Sequence, residues 1–497
     1  METLFDTHAH LGAHDYDTDL EAVILRAREA GVNMLVTVGS GYGLKSAGLA
    51  IDIAGRHENI WATVGVHPHD ALLGVDYGAP FDAPPPPGFE DRWNKAADEA
   101  MEYLKQLAQN PRVVAIGECG LDYHYDHAPR PVQQQMFTRM IRLANETGKP
   151  IVIHDREAHE DSIALLEKHL NPDATGVYHC FSGDLAFARQ VLELGFVLSI
   201  PGVVTFKKAE VIENVVREIP IERLILETDC PFLAPIPYRG KRNEPAYVVH
   251  TARKVAEIKG LSVDDVARIT TLNAIRLFRI EKVPSDSQTV DVIAYPIRDS
   301  LYLNITNRCT MSCIFCAKRR EYVVKGHELK LSREPRPQEI LREIFPQISG
   351  YRELVFCGFG EPMLRLDVIK EVATAVKANC VAPEQPQQPP LIRINTDGLA
   401  NLVHGRDVTA ELKGLVDVYS VSINAPDAQT HGRICPTRYT AEEAFEAVKS
   451  FILSAKRHAR VVATAVELPG LDVERIRKLV EDDLGVEFRP RPYDEVG

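Results

Sequence analysis

The sequence predicts an α/β protein built from two parallel-strand repeats. An N-terminal (β/α)8 barrel is expected over residues 1–281 and a C-terminal partial (β/α)6 barrel over 297–497, with a linker at 282–296. Three observations predict it. At 497 residues the chain is too long for one hydrophobic core. Its apolar residues fall into short runs separated by helix-patterned stretches, as βα units require. The runs are rich in Val, Ile and Leu, as strands buried on both faces should be.

The first eight strands are expected in LFDTHAH (4–10), NMLVTVGS (33–40), IWATVGVHP (60–68), VVAIGECGLD (113–122), PIVIHD (150–155), GVYHCFSG (176–183), FVLSIPG (196–202) and LILETD (224–229). The proline run Pro84 to Pro87, between Asp70 and Trp93, marks a surface insertion after the third strand. LSVDDVARITTLNAIRLFRI (261–280) reads as a closing amphipathic helix. KVPSDSQTVDV (282–292) is polar and contains proline, which suits a linker. VIAYPI (292–297) and SLYLNI (300–305) predict a hairpin that opens the second series. Further strands follow in ELVFCGFG (353–360), LIRINTDG (391–398), VYSVSIN (418–424), RVVATAVE (460–467) and VEFRPR (486–491). PEQPQQPP (383–390) reads as a solvated loop.

Composition bounds the function classes. The net charge of −13 argues against sequence-blind coating of nucleic acid while leaving room for a local basic groove. No run of eighteen apolar residues is present, so no membrane span is expected. The opening METLFDTHAH lacks the basic-then-apolar pattern of a secretory signal, which makes a cytoplasmic location the expectation. Nine cysteines, an odd number, read as metal ligands plus buried thiols rather than a disulfide framework. Outside a cluster at 309–316 they are scattered: Cys119, Cys180, Cys230, Cys357, Cys380 and Cys435.

Polar residues gather at the predicted C-terminal strand ends of the first repeat: His8 and His10 on the first strand, Glu118 on the fourth, His154 on the fifth, His179 on the sixth and Asp229 on the eighth. Barrel active sites are built at that face. A lone histidine at a strand end is more often a hydrogen-bonded structural residue, but this convergence is the donor set for one or two divalent ions. Glu118 is the best candidate for a bridging ligand, and such a pair of ions clamps a water and a phosphoryl or carbonyl oxygen. Glu227, two residues before Asp229, is expected behind a ligand. His67, with His69, lies near the mouth of the third strand, as a substrate contact or a loop cap. Arg239, Lys241, Arg242 and Asn243 follow the eighth strand, where cations suit phosphate capture.

The strings DTHAH, GVHPHD, GECGLDYHYD, VIHDREA, HCFSG and ETDCPFLAPIPYRGKRNEP resemble, in order, those of the TatD-type metal-dependent hydrolases. The resemblance covers residues 1 to 280 and implies phosphodiester hydrolysis with divalent metal (Mg, Mn or Zn), described in that family as deoxyribonuclease activity. It carries over His8, His10, Glu118, His154, His179 and Asp229 as ligands of two ions, with Glu118 and Asp229 also catalytic. Where that family often has an aliphatic residue, this chain has Cys119, expected to face the barrel wall.

The second repeat opens on NRCTMSCIFCAKRR, which puts Cys309, Cys313 and Cys316 on one loop after a strand. Three thiolates hold three irons of a cubane cluster and leave the fourth iron open; zinc is the competing reading, with His327 the nearest histidine and outside usual spacing. The spacing, with Phe315 before the last cysteine, resembles the radical S-adenosylmethionine superfamily. CGFGEP resembles that superfamily's glycine-rich turn, which implies cofactor contacts at Gly358, Gly360 and Glu361. Asn395, beside Thr396, with Ser422, Asn424 and Arg433, resembles further ribose or carboxylate contacts, local turn capping being the alternative. The resemblance implies one [4Fe–4S] cluster, bound S-adenosylmethionine, a reductant, an oxygen-poor cytoplasm and a radical that takes hydrogen from a substrate. The fusion of the two resembles a TatD-associated radical protein lineage.

The expected function is therefore bifunctional: a metal-dependent phosphodiesterase, a DNase first, fused to a radical enzyme. The alternatives for the front half are a hydrolase of another small phosphoester or amide and a non-catalytic module that docks nucleic acid.

Overall fold

The computed structural model describes residues 3–281, 291–379 and 389–493. The chain divides into two compact units, Met1–Pro284 and Ser285–Gly497. Cys380, residues 383–388 of the expected proline-rich loop and residues 282–290 of the expected linker lie outside the described residues.

In the first unit the strands are β1 Leu4–Ala9, β2 Val32–Thr37, β3 Ile60–Val64, β4 Val113–Asp122, β5 Ile151–Arg156, β6 Gly176–Tyr178, β7 Val197–Ile200 and β8 Leu224–Leu226. They pair in sequence order, all parallel. The ring closes where β1 meets the segment after β8: Ala9 bridges Cys230 in parallel, His10 N–H donates to Cys230 O at 2.8 Å and Asp229 N–H donates to His8 O at 2.9 Å. This is the (β/α)8 barrel the sequence predicted.

Each strand contributes to an apolar layer inside the barrel: Phe5, Val36, Trp61, Val114, Val152, Val177, Val197 and Ile225. Ala274, Leu277, Phe278 and Ile280 join the same layer. They come from the expected closing helix, Val263–Leu277, and the residues just after it; the helix starts at a capping box of Ser262 and Asp265. The helix end thus plugs the barrel at the N-terminal ends of the strands and leaves the opposite end for chemistry. The outer faces of the strands pack under the helices, where Phe137 and Leu166 are fully buried.

Period-2 alternation carries the inward face from Val152 to His154, from Val177 to His179, from Val197 to Ser199, and from Ile225 to Glu227 and Asp229. Two strands break it. The register of β1 shifts between Asp6 and Ala9, and that of β4 between Ile116 and Cys119. Without the first shift His8 would share the helix-facing side of Leu4. Such irregularities re-aim side chains next to active sites, and here they turn His8 and Glu118 into the mouth.

The second unit contains β9 Ala294–Ile297, β10 Ser300–Leu303, a small hairpin of β11 Val323–Val324 and β12 His327–Glu328, then β13 Glu353–Phe356, β14 Leu391–Thr396, β15 Val418–Ser422, β16 Arg460–Glu467 and β17 Glu487–Pro492. The main sheet runs β17-β16-β15-β14-β13-β10-β9. Its six strands from β10 to β17 are parallel, and β9 pairs antiparallel with β10, which is the expected hairpin. Residues 294–296, placed in the linker from sequence, belong to β9. The sheet's helix-facing side, through Leu354, Ile392, Ile394, Tyr419, Val421 and Ala463, packs on Ile369, Val372, Phe451 and Ile452.

Phe137→Ala removes a fully buried ring from the layer between barrel and helices. It should lower the stability of the first unit by about 3–5 kcal/mol, read as a fall in its denaturation midpoint. An unshifted midpoint would contradict the packing.

Candidate metal centre and cysteine loop

Glu118 is buried, and its two oxygens face different histidines. Oε2 lies 3.5 Å from His8 Nε2 and 3.7 Å from His10 Nε2, with Asp229 Oδ1 3.8 and 3.4 Å from the same two nitrogens. Oε1 lies 2.8 Å from both His154 Nδ1 and His179 Nε2, and 3.4 Å from His67 Nε2. The sets His8–His10–Asp229, His67–Glu118–His154 and His8–His179–Glu227 each place their donor atoms within 4.8 Å of one another. The six sequence-predicted ligands therefore come together, the other five gathered about the Glu118 carboxylate.

The donors suit divalent cations. His8 Nε2 and Glu118 Oε2 are buried without a hydrogen-bond partner among the described residues, so a positive ion between such groups would satisfy both. Burial alone would raise the Glu118 pKa, but His179 and His67 pull it well below the usual carboxylate range. Burial alone would lower His179, yet Glu118 and Glu227 raise it well above the usual histidine value. Burial holds His67 down at about 4. Asp229 and Cys180 adopt positive φ, 56° and 43°, as the chain turns out of the strand ends.

A supporting shell fixes these rings. Asp122 Oδ2 is 3.1 Å from His154 Nε2 and 2.9 Å from His69 Nε2. Its Oδ1 accepts the backbone N–H groups of His124 and Tyr125, at 3.0 and 2.8 Å. Asp122 was not singled out from sequence; the available signal was its place four residues after Glu118, on the same strand face. Glu227 Oε1 lies 3.5 Å from His179 Nδ1 and accepts the Cys180 N–H at 2.6 Å, the backing position expected of it. Asp6 clamps Thr228, accepting its N–H at 2.9 Å and its hydroxyl at 2.6 Å, which ties β1 to the segment carrying Asp229. His67 Nδ1 accepts the His69 N–H at 3.1 Å, so His67 caps its own loop while Nε2 faces Glu118. Cys119 faces the wall, as expected.

The basic loop after β8 divides into separate roles. Arg242 is committed to a fork on Asp19, at 2.7 and 2.8 Å, and to Asp15 O at 2.6 Å. Buried Asn243 donates to Thr228 O and Phe232 O, so it shapes the loop. These bonds take Arg242 and Asn243 out of the expected phosphate-capture group. Arg239 stacks over Phe206, and it and Lys241 are exposed.

In the second unit Cys309 is exposed and Cys313 and Cys316 are half-buried. Their loop is braced against residues 434–437: Ser312 N–H donates to Pro436 O at 2.8 Å, Ile314 N–H to Ile434 O at 2.9 Å, and Met311 bridges Thr437. A hydrogen bond with Cys435, then burial, raises the Cys313 thiol above its usual value. Iron loading must therefore displace protons. Phe315 packs on the main core.

The glycine turn lies against the backbone feeding that loop. A Cβ on Gly360 would sit 2.2 Å from Thr306 O and 2.5 Å from Arg308 O, and one on Gly358 would sit 2.5 Å from Asn304 Oδ1. Only glycine permits that approach. Glu361 N–H donates to Arg308 O at 2.7 Å. The Glu361 carboxylate accepts Met363 N–H, Thr396 Oγ1 and Asp397 N–H at 3.0, 2.9 and 2.7 Å. Three acceptor positions of its side chain are therefore taken up within the turn. Asn424 is likewise buried, its Oδ1 accepting Val466 N–H at 3.3 Å and its Nδ2 donating to Cys435 Sγ at 3.6 Å. Asn395 and Ser422 are half-buried, Asn395 Oδ1 has no partner among the described residues, and Arg433 is exposed. Thr310 donates to Asp397, beside the first cysteine, a contact that was not singled out from sequence.

Comparison with known proteins agrees with this division. The family model for TatD related DNase matches residues 5–279, and that for the Radical SAM superfamily matches residues 303–482. The uncharacterized metal-dependent hydrolase YabD of Bacillus subtilis (strain 168) is 43% identical over 277 residues, which are 56% of this chain and 99% of that protein. The 3′-5′ ssDNA/RNA exonuclease TatD of Cronobacter sakazakii (strain ATCC BAA-894) is 36% identical over 282 residues, 55% of this chain and 97% of that protein. The crystal structure of YjjV, a TatD homologue from Escherichia coli K12, is 25% identical, covers 56% of this chain and 98% of its own, and has a TM-score of 0.48.

Asp122→Asn should weaken divalent-metal affinity about 10–100-fold by releasing the His154 ring, measured by calorimetric titration of the metal-free chain. Wild-type affinity in that variant would contradict the positioning role.

Proposed function

This chain belongs to the TatD related DNase family through residues 5–279, and on that premise we propose that it is a bifunctional enzyme. Its hydrolase domain cleaves phosphodiester bonds in nucleic acid, DNA first, with two divalent ions. Its radical SAM domain cleaves S-adenosylmethionine reductively.

The observation that carries the hydrolase reading is the division of Glu118, one oxygen toward His8 and His10, the other toward His154 and His179. In this reading His8, His10 and Asp229 would hold one ion and His154 and His179 the other, with Glu118 presenting an oxygen to each group. Bound divalent ions supply Lewis acidity and a water acidic enough to react at neutral pH. The chain supplies orientation: Asp122 fixes the His154 ring, Glu227 faces His179, and burial keeps His8, His10, Glu118, His179 and Asp229 from bulk water. Arg239 and Lys241, exposed on the loop after β8, suit backbone phosphates. The nuclease similarity noted above supports a nucleic acid over a small ester as substrate.

In the second domain Cys309, Cys313 and Cys316 would hold three irons of a [4Fe–4S] cluster. With S-adenosylmethionine it supplies a one-electron cleavage that yields a hydrogen-abstracting radical. The chain's own contribution is the loop bracing by residues 434–437 and the close fit of Gly358 and Gly360 under it. Asn395, Ser422 and Arg433 are the sequence-predicted polar side chains left for the cofactor.

The test uses the full chain, reconstituted anaerobically with iron and sulfide. Supplied with Mn²⁺, it should degrade a single-stranded oligonucleotide; Glu118→Gln should lose this while still forming 5′-deoxyadenosine from S-adenosylmethionine and dithionite. Undiminished degradation by Glu118→Gln would overturn the hydrolase reading. No iron uptake under conditions that load a control protein would overturn the radical reading.

A further inference from the structure

The concave side of the second sheet faces away from the helix-packed core and is polar. Because Ile392 and Ile394 lie in that core, Arg393 and Asn395 point to the opposite side. The same alternation puts Tyr302 of β10, Glu353 and Val355 of β13, Ser420 and Ser422 of β15, and Thr464 of β16 on the concave face. On β17, Phe488 packs in the core, so Arg489 and Arg491 face the concave side, opposite Thr464 and Val466 in the ladder.

Three guanidinium groups thus share one face of the sheet with the carboxylates of Glu353 and Glu487. Arg393 is 9% exposed, pairs with Glu353 at 3.0 Å and reaches the Tyr302 hydroxyl at 3.3 Å. Its Nε is buried with no hydrogen-bond partner among the described residues. Arg489 and Arg491 make no ion pair or hydrogen bond among the described residues, and Glu487 is taken by Arg460 at 2.5 Å. Arg489 is exposed and Arg491 half-buried, and the charges of Arg393 and Arg491 oppose that of Arg489, with Tyr302 and Glu487 offsetting part of the repulsion. A guanidinium does not escape such repulsion by losing its proton. What relieves it is an anion, and planar N–H forks match phosphate and carboxylate oxygens.

We propose that Arg393, Arg489 and Arg491 form an anion site on the concave face of the radical SAM domain, which holds a phosphate or carboxylate group of that domain's substrate. The assignment to a substrate rests on the radical reading above; the anion site itself does not. Arg489 and Arg491 lie on the edge strand, where a substrate can enter from the open side of the sheet. Glu353 and Tyr302 set the Arg393 fork, and the half-buried Ser422 adds a neutral hydroxyl on the same face.

Labelling by phenylglyoxal, read by peptide mass spectrometry on the iron-loaded full chain, tests this. Inorganic pyrophosphate should slow modification of Arg489 and Arg491 several-fold and leave the exposed Arg352 unchanged. Equal labelling of Arg489 and Arg491 with and without pyrophosphate would overturn the site. Equal protection by S-adenosylmethionine and by pyrophosphate would assign the anion to the cofactor's carboxylate and overturn the substrate assignment. Iron content measured on the same sample separates the two readings. Protection in a chain that takes up no iron would uphold the anion site and refute the radical premise.

Discussion

One carboxylate organises the barrel mouth. Glu118 sits where two groups of histidines converge, and each of its oxygens serves one group. Gathering this many titratable groups away from water is costly. Desolvating one ion takes several kcal/mol, and an opposite charge about 4 Å away returns about 4 kcal/mol at an effective dielectric constant of 20. A single ion pair would therefore roughly break even. The mouth is tolerable because every group has several neighbours: Glu118 five histidines, His154 two carboxylates, His179 two carboxylates. Even so, His8 Nε2 and Glu118 Oε2 stay without hydrogen-bond partners among the described residues, which is the deficit a divalent ion removes.

The rest of the first unit keeps that convergence in place. The plug of Leu277, Phe278 and Ile280 fills one end of the barrel, so the polar groups collect at the other. The Asp6–Thr228 clamp and the Ala9–Cys230 bridge close the ring beneath Asp229. The ladder shifts in β1 and β4 deliver His8 and Glu118 to the interior. The second unit uses a different device for its cysteine loop. Backbone contact at Gly360 and the bracing by residues 434–437 hold the chain around Cys309–Cys316.

Much of this was legible in the sequence because it depends on local pattern. Strand runs, the closing helix and the hairpin before the second sheet follow from period and spacing, and the candidate metal donors from their places at strand ends. Side-chain partners were not legible. Arg242 and Arg239 look alike in PYRGKRNEP, yet Asp19, more than 200 residues away in sequence, occupies one of them. Nothing in CGFGEP shows that Thr396 and Asp397 bond to the Glu361 oxygens. Alternation alone would also have turned His8 toward the helices, because a ladder shift leaves no mark in composition. Asp122 had a signal in its spacing from Glu118, but its role rests on His69 and His154 reaching it from other strands.

The central claim, that Glu118 is shared between two ions, is tested most directly by anomalous diffraction from crystals of the full chain soaked in Mn²⁺. The account predicts two anomalous peaks about 3.5–4 Å apart, one beside His8, His10 and Asp229, the other beside His154 and His179, with Glu118 between them. A single peak, or two peaks with Glu118 touching neither, would contradict it.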